Sequence, residues 1–218
     1  ITSIELINPG NNRQTAEKSP TLAISFTKPN KASTLRIYSL DENYNLQLSD
    51  SEPISLSRPK SLVLPLQYPG FGFLVVNNSQ MNYYTIKNSS LNGHKKKKHG
   101  SSTFTAKANL EQTIDLPNKT YISYYFYIIK DRVHLILGSR ERSIHLITIK
   151  RKSSNTVFKI ETQLTLEIPF TQLVYCGPRE VFVCNNNGAS ALLSIDIPSK
   201  RYKILKRFET IGPIFDYT

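Results

Sequence analysis

Short apolar runs, mostly five to eight residues long and each closed by a polar turn, recur along this chain with a spacing in the forties. That spacing constrains the fold more than any single motif. Four such runs begin near Thr34, Gln80, Ser143 and Ala189, at steps of 46, 63 and 46 residues. The long step contains a Lys-rich insertion, Asn88 to Ser102, and leaving out those 15 residues reduces it to 48. A repeat of this length, with about four strands to the unit, is the signature of propeller blades. One small sheet cannot bury both of its faces, so like sheets must lean on one another.

The composition of the runs agrees. Thr21 to Phe26, Leu35 to Leu40, Gly72 to Val76, Tyr121 to Ile129 and Ala191 to Ile197 are rich in β-branched and aromatic residues, which suit a pleated, half-buried surface. Leu164, Leu166 and Ile168 alternate with Gln163, Thr165 and Glu167, the period of a strand with one wet face. No dozen residues keep a helical period. Asn8-Pro9-Gly10, Lys28-Pro29-Asn30 and Asn185 to Gly188 mark turns. Pro65 and Pro69 place their region at a strand end or in a loop. The expected class is therefore all-β: a WD-repeat-like β-propeller, here about four four-stranded blades of a larger ring. The blades fall at approximately 1–57, 58–117, 118–168 and 169–210, with 211–218 starting another and 88–102 inserted as a basic loop. A β-sandwich would explain the strands but not the repeat. Val133 to Leu137 reads as an inner strand buried on both faces, and Lys200 to Arg207 as an outer, charged one.

Charge narrows the function. Lys and Arg number 28 against 16 Asp and Glu, a net charge of +12 in 218 residues. No apolar run approaches the roughly 18 residues of a membrane span, and no signal-peptide pattern stands at Ile1. Two cysteines, Cys176 and Cys184, are too few for a disulfide scaffold or a cysteine zinc site; both are expected as buried thiols.

Lys95, Lys96, Lys97 and Lys98 lie between His94 and His99. They are the candidate polyanion contact, because clustered ammonium groups attract phosphates through their field and by counterion release. No carboxylate or thiol near these histidines suggests a metal site. A second basic group joins Lys150, Arg151 and Lys152 to Arg140 and Arg142. Arg201, Lys203 and Arg207 are expected on one side of a late strand, where charge keeps an edge from pairing, and no aromatic residues interleave with these cations. His134 and His145 read as satisfied structural histidines, and Tyr121 to Tyr127 as core. No catalytic residue, cofactor site or metal site is expected: the chain has no nucleophile elbow, phosphate loop or zinc-protease helix. The N-glycan acceptor patterns at Asn77, Asn88 and Asn118 are attributed to chance.

Several segments together resemble one family. Ser19 to Phe26, Thr34 to Leu40, Leu64-Pro65-Leu66, Pro69 to Val76, Met81 to Tyr84, Glu180 to Asn185, Ala191-Leu192-Leu193 and Phe208 to Asp216 follow, in order, the pattern of a family of β-propeller scaffolds. It includes the large subunits of damage-specific DNA-binding protein, of cleavage and polyadenylation specificity factor, and of splicing factor 3b. The resemblance implies the N-terminal of three propellers and the later blades of a seven-bladed ring. In loop economy it points to the yeast ubiquitin-ligase adaptor branch, of the methyl-methanesulfonate-sensitivity type. The implied role is a non-enzymatic adaptor of a cullin-type E3 ubiquitin ligase in DNA repair, replication or chromatin. Its implied partners are cullin-ligase subunits and substrate receptors within a larger nuclear complex, with nucleic acid met through basic loops and no membrane. The alternative is a scaffold of pre-mRNA splicing or 3′-end processing. Asn185 to Gly188 replaces the family's small Gly-Ser-Arg turn, and the lysine insertion has no counterpart in the pattern. No family contact residue carries over to a position in this chain.

Overall fold

The computed structural model describes residues 3–7, 21–26, 33–40, 45–48, 52–56, 61–66, 72–90, 104–129, 132–152, 155–168, 170–185 and 189–209. These form seventeen strands, and no helix among them is long and apolar enough to cross a membrane. The chain divides into two compact units, Ile1–Pro117 and Asn118–Thr218.

In the first unit, β1 (Ser3–Ile7), β2 (Thr21–Phe26) and β3 (Ser33–Leu40) pair in chain order, all antiparallel. Two short strands share the outer edge of β3. β4 (Leu46–Leu48) lies against residues 38–40 and β5 (Ile54–Leu56) against residues 33–35. The second sheet runs β6 (Leu62–Leu66), β7 (Gly72–Val76), β8 (Gln80–Ser90), β9 (Phe104–Asp115). β3 buries every second residue, including Leu35 and Ile37, whereas all five residues of β7 are buried. Ala23, Leu35 and Ile37 of the first sheet pack with Val63, Phe73, Val75 and Tyr84 of the second. Phe73 and Tyr84 stack with ring centroids 5.1 Å apart. Burying one such side chain contributes about 1.5–3 kcal/mol. Gly72 is required by this closeness. Its φ is +149°, and a Cβ there would run into the Tyr84 carbonyl oxygen. Pro65 corrects a sequence expectation: it lies inside β6, paired with Phe73. β6 is a terminal strand of its sheet, where a residue without an N–H costs no ladder bond.

In the second unit, β10 (Tyr121–Ile129), β11 (Arg132–Ser139), β12 (Ser143–Lys152) and β13 (Asn155–Thr165) form one sheet. β14 (Gln172–Tyr175), β15 (Glu180–Cys184), β16 (Ser190–Asp196) and β17 (Arg201–Phe208) form the other. Ile136, Ile144, Leu146 and Leu164 of the first pack against Leu173, Val181, Val183, Leu193 and Ile195 of the second. β11 is buried almost throughout and β17 mostly exposed, the contrast expected between inner and outer strands. β10 differs from its expectation as core. Tyr121 is buried, Tyr125 and Tyr127 are half-buried against the cluster, and Tyr124 is exposed, because β10 is a terminal strand whose far edge meets no strand of its own sheet.

The repeat appears in the outermost ladder of every sheet. β8 and β9 slip register between Tyr83 and Tyr84, β12 and β13 between Leu146 and Ile147, β16 and β17 between Leu192 and Leu193. In each case one extra residue stands on the outer strand. In the first sheet the break between β5 and β4 falls opposite Arg36 and Ile37. Counted from Thr34, Gln80, Ser143 and Ala189, the irregularity lies at or beside the fourth residue each time. Closing bonds repeat as well: Leu116 N–H donates to the Ser79 carbonyl and Leu166 N–H to the Arg142 carbonyl, each at 2.8 Å.

Candidate interaction surfaces and buried polar groups

The lysine run Lys95 to Lys98, with His94 and His99, lies outside the described residues. β8 continues to Ser90 and β9 resumes at Phe104, so Asn88, Ser89 and Ser90 of the expected insertion pair with Ala106, Thr105 and Phe104.

The second basic group is not one group. Lys150, Arg151 and Lys152 close β12 against Val157, Thr156 and Asn155. Arg140 and Arg142 occupy the turn before the opposite end of that strand. At about 3.3 Å per residue the two sets stand roughly 30 Å apart. The β17 cations are also rearranged. Arg201 and Lys203 face Asp196 and Ser194, but after the bulge it is Lys206 that faces Leu192, while Arg207 faces Ala191. Ala191 belongs to the core-packed face and Leu192 to the opposite one. Arg201, Lys203 and Lys206 therefore share one side, and Arg207 projects on the other. An aromatic group joins them: the Lys206 ammonium lies 5.2 Å from the Phe208 ring centroid, and Phe208 meets Phe182 edge-on at 5.5 Å. Sequence spacing cannot show a bulge, and so it hid this neighbourhood.

The two strand histidines differ. His134 Nδ1 lies 3.0 Å from the Thr148 hydroxyl, and its ring stacks on Tyr127 at 4.9 Å, the satisfied arrangement expected. His145 is 1% exposed with neither ring nitrogen hydrogen-bonded, which corrects its expectation as a satisfied histidine. It meets Tyr121 edge-on at 5.7 Å. Burial, helped by the Lys119 charge, pushes its pKa from 6.5 down to about 4, so the ring is neutral packing at pH 7. Tyr121 is raised by burial and by the nearby Glu141 carboxylate. At Glu141 burial acts upward, but hydrogen bonds outweigh it and hold the carboxyl below its usual range. The Thr120 N–H donates to both carboxylate oxygens, at 3.1 and 2.8 Å. This fork ties the start of β10 to the β11–β12 turn.

Gly138 leaves room where β11 meets β14. A Cβ there would press on the Leu173 side chain, the Ser123 hydroxyl and the Tyr175 hydroxyl. Burial raises the Tyr175 phenol, with Ser123 acting against it. Cys184 is buried and its thiol is raised by burial; Cys176 is exposed, against its expectation as a buried thiol, because it stands just past β14 in the turn. Among the described residues no three of His, Cys, Asp and Glu come together to hold a metal ion.

A family model described as the RSE1/DDB1/CPSF1 first beta-propeller matches residues 3–209. No curated protein matches the chain. The match takes in both units and all four antiparallel sheets, and such a propeller fits a scaffold role. The chain belongs to the RSE1/DDB1/CPSF1 first β-propeller family.

Proposed function

We propose that the chain is a non-enzymatic scaffold, an adaptor of a cullin-type E3 ubiquitin ligase acting in DNA repair, replication or chromatin within the nucleus. The family match over residues 3–209 carries this reading. The adaptor branch rests on the loop economy of the sequence. In this reading the sheets are blades at approximately 1–57, 58–117, 118–168 and 169–210 of a seven-bladed ring. Its loops hold ligase subunits and substrate receptors, and a rigid mount raises the effective concentration of substrate beside the ligase. Affinity capture of the tagged protein with quantitative mass spectrometry tests it. A cullin and its receptors are the expected companions. Recovery of splicing or cleavage–polyadenylation subunits without a cullin would move the protein to the RNA-processing branch.

The reading also gives Lys95, Lys96, Lys97 and Lys98 a phosphate contact. At about 0.7 of a unit of salt slope per phosphate on single strands, replacing all four by Ser lowers the slope of nucleic-acid binding by about 3. An unchanged slope removes that role.

A further inference from the structure

Four outer edges, one to each sheet, face the same pairing problem in this chain, and only one is strongly cationic. β9 carries Lys107 against Glu111 and Asp115, β13 carries Lys159 against Glu161, and β4 and β5 carry no charge. β17 carries Arg201, Lys203, Lys206 and Arg207 and no acid. Edge lysines are usual as a guard against stray pairing, but a guard would be needed on all four. The bulge or break on each outer strand already disrupts edge pairing. The excess on β17 needs another cause.

Three further observations point outward. All four cations are exposed, and among the described residues no carboxylate forms an ion pair with any of them. Asp196, opposite Arg201 across the ladder, accepts a 2.7 Å hydrogen bond from Ser199 without forming an ion pair. Lys200, which leads into the strand, holds φ at +57°, a conformation that glycine or asparagine adopts more cheaply. A fifth cation thus stands at a turn position that glycine would occupy at less backbone cost.

We propose that β17 is a track for the phosphate backbone of single-stranded nucleic acid. The slip at Leu192/Leu193 interrupts the backbone register that a strand-adding peptide needs. It sends cations off both faces of the strand, so a partner is held by side-chain charge. Phe208, half-buried beside Lys206, adds a ring beside the track, as single-strand platforms use. This inference goes beyond the scaffold reading and does not depend on which complex the scaffold serves.

The test is fluorescence anisotropy of labelled single-stranded DNA and RNA 20-mers with the intact protein over a range of salt. The quadruple variant R201S/K203S/K206S/R207S is expected to lower the slope of log K against log salt by about 3, with its melting temperature kept. K107S/K159S, on other outer strands, is expected to leave the slope unchanged. Lys200→Gly serves as a second variant: thermal stability rises while the slope falls by less than one unit, a pairing that loss of structure cannot produce. Equal response of DNA and RNA assigns the contact to phosphate, and a larger loss with RNA assigns it to RNA backbone. An unchanged slope in the quadruple variant overturns the proposal. So does an acidic peptide that binds more tightly than either oligonucleotide and loses that binding in the variant. Capture of a cullin is read separately, so neither result decides the other.

Discussion

His145 and Gly72 give the clearest cases of one residue answering to its surroundings. The unfolded chain takes up a proton at His145 near pH 6.5, and the folded protein only near 4. Between these values the unfolded state binds more protons. Stability from this residue is therefore whole above about pH 6.5 and is lost as the pH falls towards 4, by about 3 kcal/mol in all. His145→Phe keeps a ring beside Tyr121 and removes the titration. The gap between urea midpoints at pH 7 and pH 4.5 is expected to narrow in this variant, and an unaltered gap would assign the acid sensitivity elsewhere. At Gly72 both the positive φ and the Tyr84 carbonyl oppose a side chain, so Gly72→Ala is expected to destabilise by about 2 kcal/mol or more. Gly138→Ala meets movable side chains instead and is expected to cost less; the reverse order in chemical denaturation would contradict this account. The sequence marks both glycines only as small residues near strands. Their necessity comes from atoms distant in the chain.

At the scale of elements, apolar patterning makes many of the strands legible. β2, β7 and β10 coincide with the runs Thr21 to Phe26, Gly72 to Val76 and Tyr121 to Ile129. β9 escapes the pattern because Phe104–Asp115 is largely polar: an outer strand needs little apolar content when its main task is to complete a ladder. β14 escapes it because four residues are too few to show a period. The bulges are hidden because an extra residue changes no composition, only the direction in which later side chains point. The β16–β17 hairpin tests this. Leu193 is fully buried, and Leu205, the extra residue, is 47% exposed. Leu193→Ala is expected to cost about 2–5 kcal/mol and Leu205→Ala under about 0.5 kcal/mol, both read from urea unfolding. Similar losses at the two positions would mean that the register across this hairpin is wrong.

For the whole molecule, the family match over residues 3–209 and the four sheets agree on blades of a propeller. With a net charge of +12, binding to polyanions is expected to fall steeply with salt, measurable as the elution position on a heparin column in wild type and in the β17 variant. The sequence by itself determined the strand-forming runs, their repeat in the forties, the surplus of positive charge and the family, because hydrophobic period, spacing and charge are properties of neighbours along the chain. Only tertiary structure decided which cations share a face, which histidine goes without a hydrogen bond, and which glycines are obligatory. Those depend on register between strands and on contacts across sheets, where one extra residue reverses a side chain's direction and a distant carbonyl excludes a methyl group.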